Sequence, residues 1–337
     1  LLLAAFLLPS ALARRTLKET PMDPLADAAP VQRHGRLALV TGAGSGIGLA
    51  LAEALARDGW TVLAGARRAD DLAHLATLPG VVPLPLDVRD PAQVDAAAAA
   101  VHARGGHLDG LVQNAGVGEL GPLAAWSDDD LLRLFDVNVF GPHRLTRTLL
   151  PSLLVARGRV VCVGSMGGTI TQPLFGPYSM TKFALEAYAE SLQRELAPHG
   201  VSVCIVQPGA VATRIGETAR SPNVRRLQAA PPPFDAQAQE VLRAWDKPST
   251  PRPDEPESAT NRRPAPPQAV AAVIQEALQR PEVPLRWLVG TRWEGRRVVD
   301  ALIERLLDAC TSDGQRLDRQ GVHALIDLAW RRRHPAD

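Results

Sequence analysis

The sequence predicts a doubly wound α/β fold, one parallel sheet with helices on both faces, from three observations. Short apolar runs of β type alternate with helical stretches from Arg36 onward. A glycine-rich run lies between the first such strand and the first helix. Several strands lack the polar alternation of a half-solvated sheet, as expected where helices cover both faces. Strand–helix repetition with right-handed crossovers makes neighbouring strands parallel.

The elements follow in order. Leu37–Thr41 reads as the first strand and 46–58 as its helix. Strands are expected next at 61–65, 81–86, Gly110–Gln113, 160–164 and 201–207, separated by helices near 70–77, 91–104, 127–156 and 178–198. The third strand carries Pro83 and Pro85, which a central strand does not tolerate, so it belongs at the sheet edge in the order 3-2-1-4-5-6. Between Arg214 and Gln268 the pattern stops. Residues 231–267 are rich in proline and poor in large apolar side chains, so 222–267 reads as a flexible insertion in the position of a lid. A helix near 268–279, a last strand at 287–290 and helices near 296–310 and 320–332 complete the chain. The expected organisation is a leader at 1–35, one catalytic domain over 36–295 and a helical extension over 296–337.

Composition removes several classes. Among 337 residues 46% are hydrophobic and 22% charged, and the net charge is +1. A disordered, collagen-like or polytopic membrane chain is excluded, and no global field draws the protein to nucleic acid. Cys162 and Cys204 lie within apolar runs and Cys310 stands far from both, so no disulfide framework or zinc site is expected. His34, His74, His102, His107, His143 and His199 show no metal spacing. The opening run LLLAAFLLPSALA, followed by Arg14-Arg15, has the apolar stretch and small-residue end of a targeting segment. It reads either as a truncated targeting or anchor segment or as sequence outside the mature protein. The compartment therefore stays open between cytoplasmic and endomembrane or organellar. The basic end Trp330-Arg331-Arg332-Arg333 reads as a solvated helix end or a membrane-surface contact.

Three motifs carry chemistry. Thr41-Gly42-Ala43-Gly44-Ser45-Gly46-Ile47-Gly48 leaves the first strand and opens a helix, where glycines let backbone N–H groups approach a pyrophosphate. The second strand ends at Ala66, where an NAD site presents an acid to the ribose, and Arg67 follows with a guanidinium suited to a 2′-phosphate. Tyr178 and Lys182 lie one helical turn apart on one face, in a chain with only two tyrosines and three lysines. The cation is expected to lower the phenol's pKa.

Tyr178-x-x-x-Lys182, Ser165 thirteen residues earlier and the Thr41–Gly48 loop together resemble the short-chain dehydrogenase/reductase superfamily. Asp87-Val88, Asn114-Ala115-Gly116, Asn138, Pro208-Gly209 and Thr213 match it further, and 176–209 resembles the retinol and 17β-hydroxysteroid dehydrogenase branch. The chain departs from the pattern in its proline-rich insertion and in Gln113, where an asparagine is common.

The resemblance implies a Rossmann-type domain in which Tyr178 is the general acid or base, and Ser165 hydrogen-bonds the substrate oxygen. Lys182 would hold the nicotinamide ribose, and Asn138 would anchor a relay water. Pro142, four residues on, lacks the N–H that would occupy the Asn138 carbonyl. Gly42, Ser45, Gly46, Ile47 and Gly48 would bind the cofactor, with Asp87 and Val88 at the adenine. Asn114 and Gly116 would line the ribose–nicotinamide side, Thr213 would touch the carboxamide, and Ala115, Tyr178, Lys182, Pro208, Gly209 and Val211 would also bind the cofactor.

The expected activity is hydride transfer between NADP(H), preferred over NAD(H), and a hydrophobic alcohol or carbonyl compound. Met166, Pro173, Leu174 and Phe175 are expected to border its pocket. The rival is a non-catalytic dinucleotide-binding regulatory protein, which would need no proton donor. A homodimer or homotetramer is expected, because the helix after Tyr178 carries Phe183, Leu185, Ala187, Tyr188, Leu192 and Leu196 around much of its circumference.

Overall fold

A computed structural model of the protein describes residues 35–245, 252, 254–259, 261–311 and 317–333. The leader expected at 1–35 falls, but for its last residue, outside the described residues.

Seven parallel strands form one sheet in the order β3-β2-β1-β4-β5-β6-β7. They are β1 Leu37–Thr41, β2 Thr61–Ala66, β3 Val81–Pro85, β4 Gly110–Gln113, β5 Arg159–Val163, β6 Ser202–Pro208 and β7 Arg286–Val289. β3 lies at the edge, as Pro83 and Pro85 require, and pairs with β2 alone through the register Leu63↔Val82 and Gly65↔Leu84. All five residues of β1, β4's four and all five of β5 are buried, which accounts for their lack of polar alternation.

Eleven α-helices among the described residues cover the sheet. α1 Gly46–Arg57 and α9 Pro267–Gln279 pack on one face around Leu51, Leu55, Val270 and Ile274. α3 Pro91–His102, α5 Gly141–Ala156 and α6 Gly176–Leu196 pack on the other around Val101, Leu145, Leu149 and Leu185. α2 Ala69–Leu75 follows β2. At roughly 1.5–3 kcal/mol for each large apolar side chain buried, these two layers are the main source of stability.

Three expectations change. The helix expected over 127–156 is two helices, α4 Asp128–Phe135 and α5, joined by a π-helical turn at Asp136–Phe140. Pro142 supplies the reason, because it has no N–H with which to continue the α-helical ladder.

The pattern expected to stop at Arg214 continues as α7 Ile215–Gln228 and α8 Asp235–Trp245. These helices build a third small core from Leu227, Ala230 and Ala238, with Leu120, Leu174, Leu242 and Trp245 against it. Borrowed apolar side chains from outside the segment supply what its own composition lacks. Part of the expected flexible insertion, 246–251, 253 and 260, lies outside the described residues.

The boundary expected at 295/296 falls inside α10 Arg292–Thr311, which leaves β7 after a short turn; α11 Arg319–Arg333 follows.

Candidate active site

The site begins at the carboxyl ends of β1, β4, β5 and β6, where loops must turn into helices. At β1 the turn is built from glycine. Gly42 has φ +65°, and a Cβ on Gly48 would overlap the Gly42 carbonyl oxygen. Ser45 caps α1 in extended conformation without a side-chain bond, and Gly46 follows at φ +56°.

Asn114 fixes this turn from β4. Its Nδ2 donates to Thr41 O at 2.9 Å and Gly42 O at 3.2 Å, and its backbone N–H donates to Thr41 Oγ1 at 3.0 Å. The Ala115 N–H donates to the same hydroxyl at 2.9 Å. The free N–H groups at the start of α1, with a cradle that Cβ atoms would fill, fit a dinucleotide pyrophosphate.

At the other end of that groove Ala66 closes β2, buried, and Arg67 stands half exposed with Nη1 3.9 Å from Asp87 Oδ2. Asp87 is held more closely by Arg89, which donates from Nε at 3.1 Å and Nη2 at 2.7 Å. Those bonds hold the Asp87 carboxyl below its ordinary pKa. Val88 is buried against Gly141, and its carbonyl accepts from Arg144 Nη1 at 2.5 Å. Arg67, expected at the 2′-phosphate, and Asp87 and Val88, expected at the adenine, thus share one edge of the sheet, with Val88's side chain directed into the core.

The polar cluster lies where β5 and α6 meet. Ser165 caps a short 3₁₀ turn, its Oγ accepting from Gly167 N at 3.0 Å. Tyr178 enters on the first turn of α6, and a Cβ at Gly167 would lie 3.3 Å from its ring, so glycine leaves room for the phenol. Lys182, buried one turn on, donates from Nζ to Val163 O at 2.9 Å and sits 5.7 Å from the Tyr178 ring centroid.

Burial pushes the lysine down to about 8, against the pull of Cys162 and Glu186. It also pushes the Tyr178 phenol up, and a hydrogen bond from Ser165 only partly offsets this. The expected lowering of Tyr178 is therefore reversed in the free protein, because desolvation outweighs the Ser165 hydrogen bond.

Asn138 sits in the π-helical turn with its whole side chain engaged. Oδ1 accepts from Val117 N at 2.9 Å, while Nδ2 donates to Val117 O at 2.9 Å and to Thr181 Oγ1 at 3.0 Å. It thereby ties the loop after β4 to α6. A Cβ at Gly116 would lie 3.4 Å from Asn138 Oδ1 and 3.9 Å from Lys182 Nζ. Gln113 anchors the same region by donating to Pro142 O at 2.8 Å and Thr146 Oγ1 at 2.6 Å.

A cavity of about 620 Å³ brings Ser165, Tyr178, Pro208, Gly209, Val211 and Thr213 onto one surface. Met166 and Phe175 line it as expected; Pro173 and Leu174 do not. Leu174, with φ +71°, turns away into the small core beneath α7 and α8, and its carbonyl accepts from Gly121 N at 2.8 Å.

Sequence reasoning missed the cover of this cavity. Ile215, Asn223 and Trp245 come from α7 and α8, and Arg262, Glu294 and Arg297 from farther on. Arg214, preceding α7, donates to Gly44 O at 2.9 Å and Asp71 Oδ1 at 3.1 Å, joining the cover to the glycine turn. Glu294 is only 2% exposed and accepts from Ala210 N at 2.8 Å and Arg262 Nη2 at 2.6 Å. A Cβ on either Gly209 or Gly290 would strike its carboxylate, so those two glycines were the available signal.

Most of the apolar residues of α6 that suggested an oligomer pack within this chain. Leu185 and Leu196 are in the core, Tyr188 and Leu192 lie against it, and Arg305 lies 4.8 Å from the Phe183 ring centroid. Among the described residues no group of acids, histidines and cysteines could hold a metal, and no helix is long and apolar enough to cross a membrane.

Comparison with known proteins agrees with this geometry. The chain is 39% identical over 196 residues to the uncharacterized oxidoreductase YbbO of Escherichia coli, spanning 58% of this chain and 71% of that one. It is 43% identical over 182 residues to retinol dehydrogenase 5 of Mus musculus, covering 52% and 57%. A short-chain dehydrogenase/reductase from Burkholderia phymatum in complex with NAD superposes with a TM-score of 0.64 at 27% identity, covering 82% of this chain and 94% of that one. An alcohol dehydrogenase from Thermococcus sibiricus complexed with 5-hydroxy-NADP gives 0.59 at 26%, covering 75% and 95%. The family model for short chain dehydrogenases matches residues 36–223, more than half of the chain, including the glycine turn and the Tyr178–Lys182 pair. The chain belongs to the short-chain dehydrogenases, a family of oxidoreductases, and within it resembles the retinol dehydrogenase branch.

Proposed function

We propose that the protein reduces a hydrophobic ketone or aldehyde with NADPH, or oxidises the corresponding alcohol with NADP⁺. The observation that carries this reading is the placement of the Tyr178 phenol in one cavity with Ser165 and the Pro208–Thr213 loop, above a buried Lys182. A protein that only binds dinucleotide needs no proton donor in that position.

In this reading Gly42, Ser45, Gly46, Ile47 and Gly48 hold the pyrophosphate, with Asn114 and Ala115 keeping their turn in shape. Gly116, Pro208, Gly209, Val211 and Thr213 flank the nicotinamide half, and Arg67 meets the 2′-phosphate. Asp87 stands at the adenine with Arg89 already on its carboxylate, and Val88 acts there through packing. Bound NADPH supplies the hydride that adds to the carbonyl carbon.

Ser165 donates a hydrogen bond to the carbonyl oxygen and steadies the charge that develops on it. Tyr178 delivers its proton to that oxygen, giving the alcohol and leaving a phenolate. A phenol whose pKa burial has raised is protonated throughout the neutral range, as a general acid must be. Lys182 stabilises the phenolate and holds the nicotinamide ribose, and the Asn138 carbonyl anchors the water that returns a proton. The lining by Met166, Ile170, Phe175, Val211 and Ile215 supports an apolar substrate. Leu132, Phe140 and Met180, all exposed on α4, the π-turn and α6, support assembly as a homodimer or homotetramer, which light scattering would read.

The test is NADPH consumption against retinoid, steroid and simple carbonyl substrates. Turnover of an apolar carbonyl compound is expected, and absence of turnover with all of them, despite NADPH binding, would favour the binding-only alternative.

A further inference from the structure

Part of the cavity lining, contributed by α10 and the segment before it, gathers positive charge. Trp293, on the first turn of α10, gathers two guanidinium groups. Arg297 lies 4.7 Å from its ring centroid and Arg262 6.0 Å. Both arginines line the cavity, and the nearby buried carboxylate, Glu294, is committed to Arg262 and Ala210 N. No carboxylate among the described residues pairs with Arg297, whose hydrogen-bond partner is an uncharged amide. Gln172, with its oxygen turned toward α10, accepts from Arg297 Nη2 at 2.7 Å and Nη1 at 3.2 Å. Arg262 Nε is also buried without an acceptor.

A guanidinium held over an indole ring and steadied by an amide is preorganised, and partial burial raises the value of an incoming anion. We propose that the substrate is an apolar carbonyl compound, or its alcohol, that carries a carboxylate, and that Arg297 recognises this group with Arg262 beside it. The inference rests on the hydride-transfer reading above and names its substrate class. A carboxylate matches the planar fork of the guanidinium, and its negative charge answers that of Arg297. The carbonyl then lies among the apolar side chains near Ser165 and Tyr178. A neutral retinoid or steroid would leave Arg297 with only its amide and ring contacts.

The experiment compares saturated C14 oxo acids, with the ketone at several positions, against their methyl esters as substrates with NADPH. At least one acid is expected to exceed its ester in kcat/KM by about tenfold or more, the range of a charge-assisted contact. Arg297→Leu should bring that ratio near one, and Arg297→Lys, which keeps the charge but loses the fork, should give an intermediate ratio. Binding without turnover supplies an independent reading. Calorimetric titration of the protein–NADPH complex should show tetradecanoate binding more tightly than tetradecanol, with the difference lost in Arg297→Leu. Esters reduced as well as acids, or a preference that survives Arg297→Leu, would overturn the substrate class and leave hydride transfer standing. Reduction of neither series, nor of any other carbonyl, would overturn both.

Discussion

Arg226 of α7 donates from Nη2 to Glu119 Oε2 at 2.6 Å, joining the cover of the cavity to the loop after β4 with side chains 5% and 4% exposed. Arg133 grips the same carboxylate with two bonds of 2.8 Å, and Trp126 stacks 3.6 Å from the Arg226 guanidinium. Nearby, Leu120 N donates to Asn223 Oδ1 at 2.9 Å. An intact buried pair of this kind is worth little net, but removing one partner leaves the other charge buried and uncompensated.

Arg226→Leu is therefore expected to lower stability by about 3 kcal/mol at neutral pH, read by urea unfolding. Burial pushes the Glu119 carboxyl up, but the two arginines more than offset it, so its pKa lies below the ordinary 4.5. A carboxylate with a lowered folded pKa contributes stability above its ordinary value and loses it as pH falls through the folded one. The penalty of the substitution should shrink in that acid range. A penalty unchanged by acid would show that packing of α7, rather than its charge, holds the cover.

Lys182 sets a second expectation. With its pKa near 8, the amine is charged at neutral pH and loses its charge in mild alkali, before the raised phenol of Tyr178 titrates. In the proposed reduction that charge would stabilise the phenolate left on Tyr178. The kcat/KM for reduction should therefore fall as pH rises through about 8. Lys182→Arg keeps a permanent cation and should move this limb upward, although its fork misplaces the ribose contacts and lowers the plateau. An unchanged limb in that variant would assign it elsewhere. Because the folded value lies below the ordinary 10.5, the unfolded chain binds more protons between the two, and the free protein gains stability as pH rises across that window.

Cofactor choice is expected to depend on Ala66 and Arg67. The Arg67 guanidinium, half exposed and only loosely paired with Asp87, is available to a 2′-phosphate. We expect NADPH to bind about tenfold or more tightly than NADH, with most of that difference lost in Arg67→Ala and the order reversed in Ala66→Asp. Fluorescence titration at fixed salt reads the ratio. Equal binding of the two cofactors by the unaltered protein would contradict the assignment.

The strand order was legible because Pro83 and Pro85 are tolerated at an edge and the buried strands lack polar alternation. The polar cluster was legible because Tyr178, Lys182 and Ser165 lie within eighteen positions of one another, on elements whose period the sequence displays. What could not be read came from distance. Arg226 and Glu119 are 107 residues apart, and α7 and α8 draw their apolar contacts from Leu120 and Leu174. A composition poor in large apolar residues therefore suggested an unordered insertion where two helices form. The direction of the Tyr178 shift was missed for a related reason, since spacing shows a neighbouring cation but not how much water burial removes.

In the proposed reaction this chain moves a hydride to a carbonyl carbon while Tyr178 supplies the proton. Incubation with [4,4-²H₂]NADPH and an apolar ketone, followed by mass spectrometry of the alcohol, tests it most directly. The unaltered protein should place one deuterium on the carbinol carbon. Tyr178→Phe, which removes only the hydroxyl, should bind NADPH normally and form that alcohol about 10²–10⁴-fold more slowly. Deuterated alcohol formed at the same rate by Tyr178→Phe, or none formed by the unaltered protein with any carbonyl compound, would contradict the account.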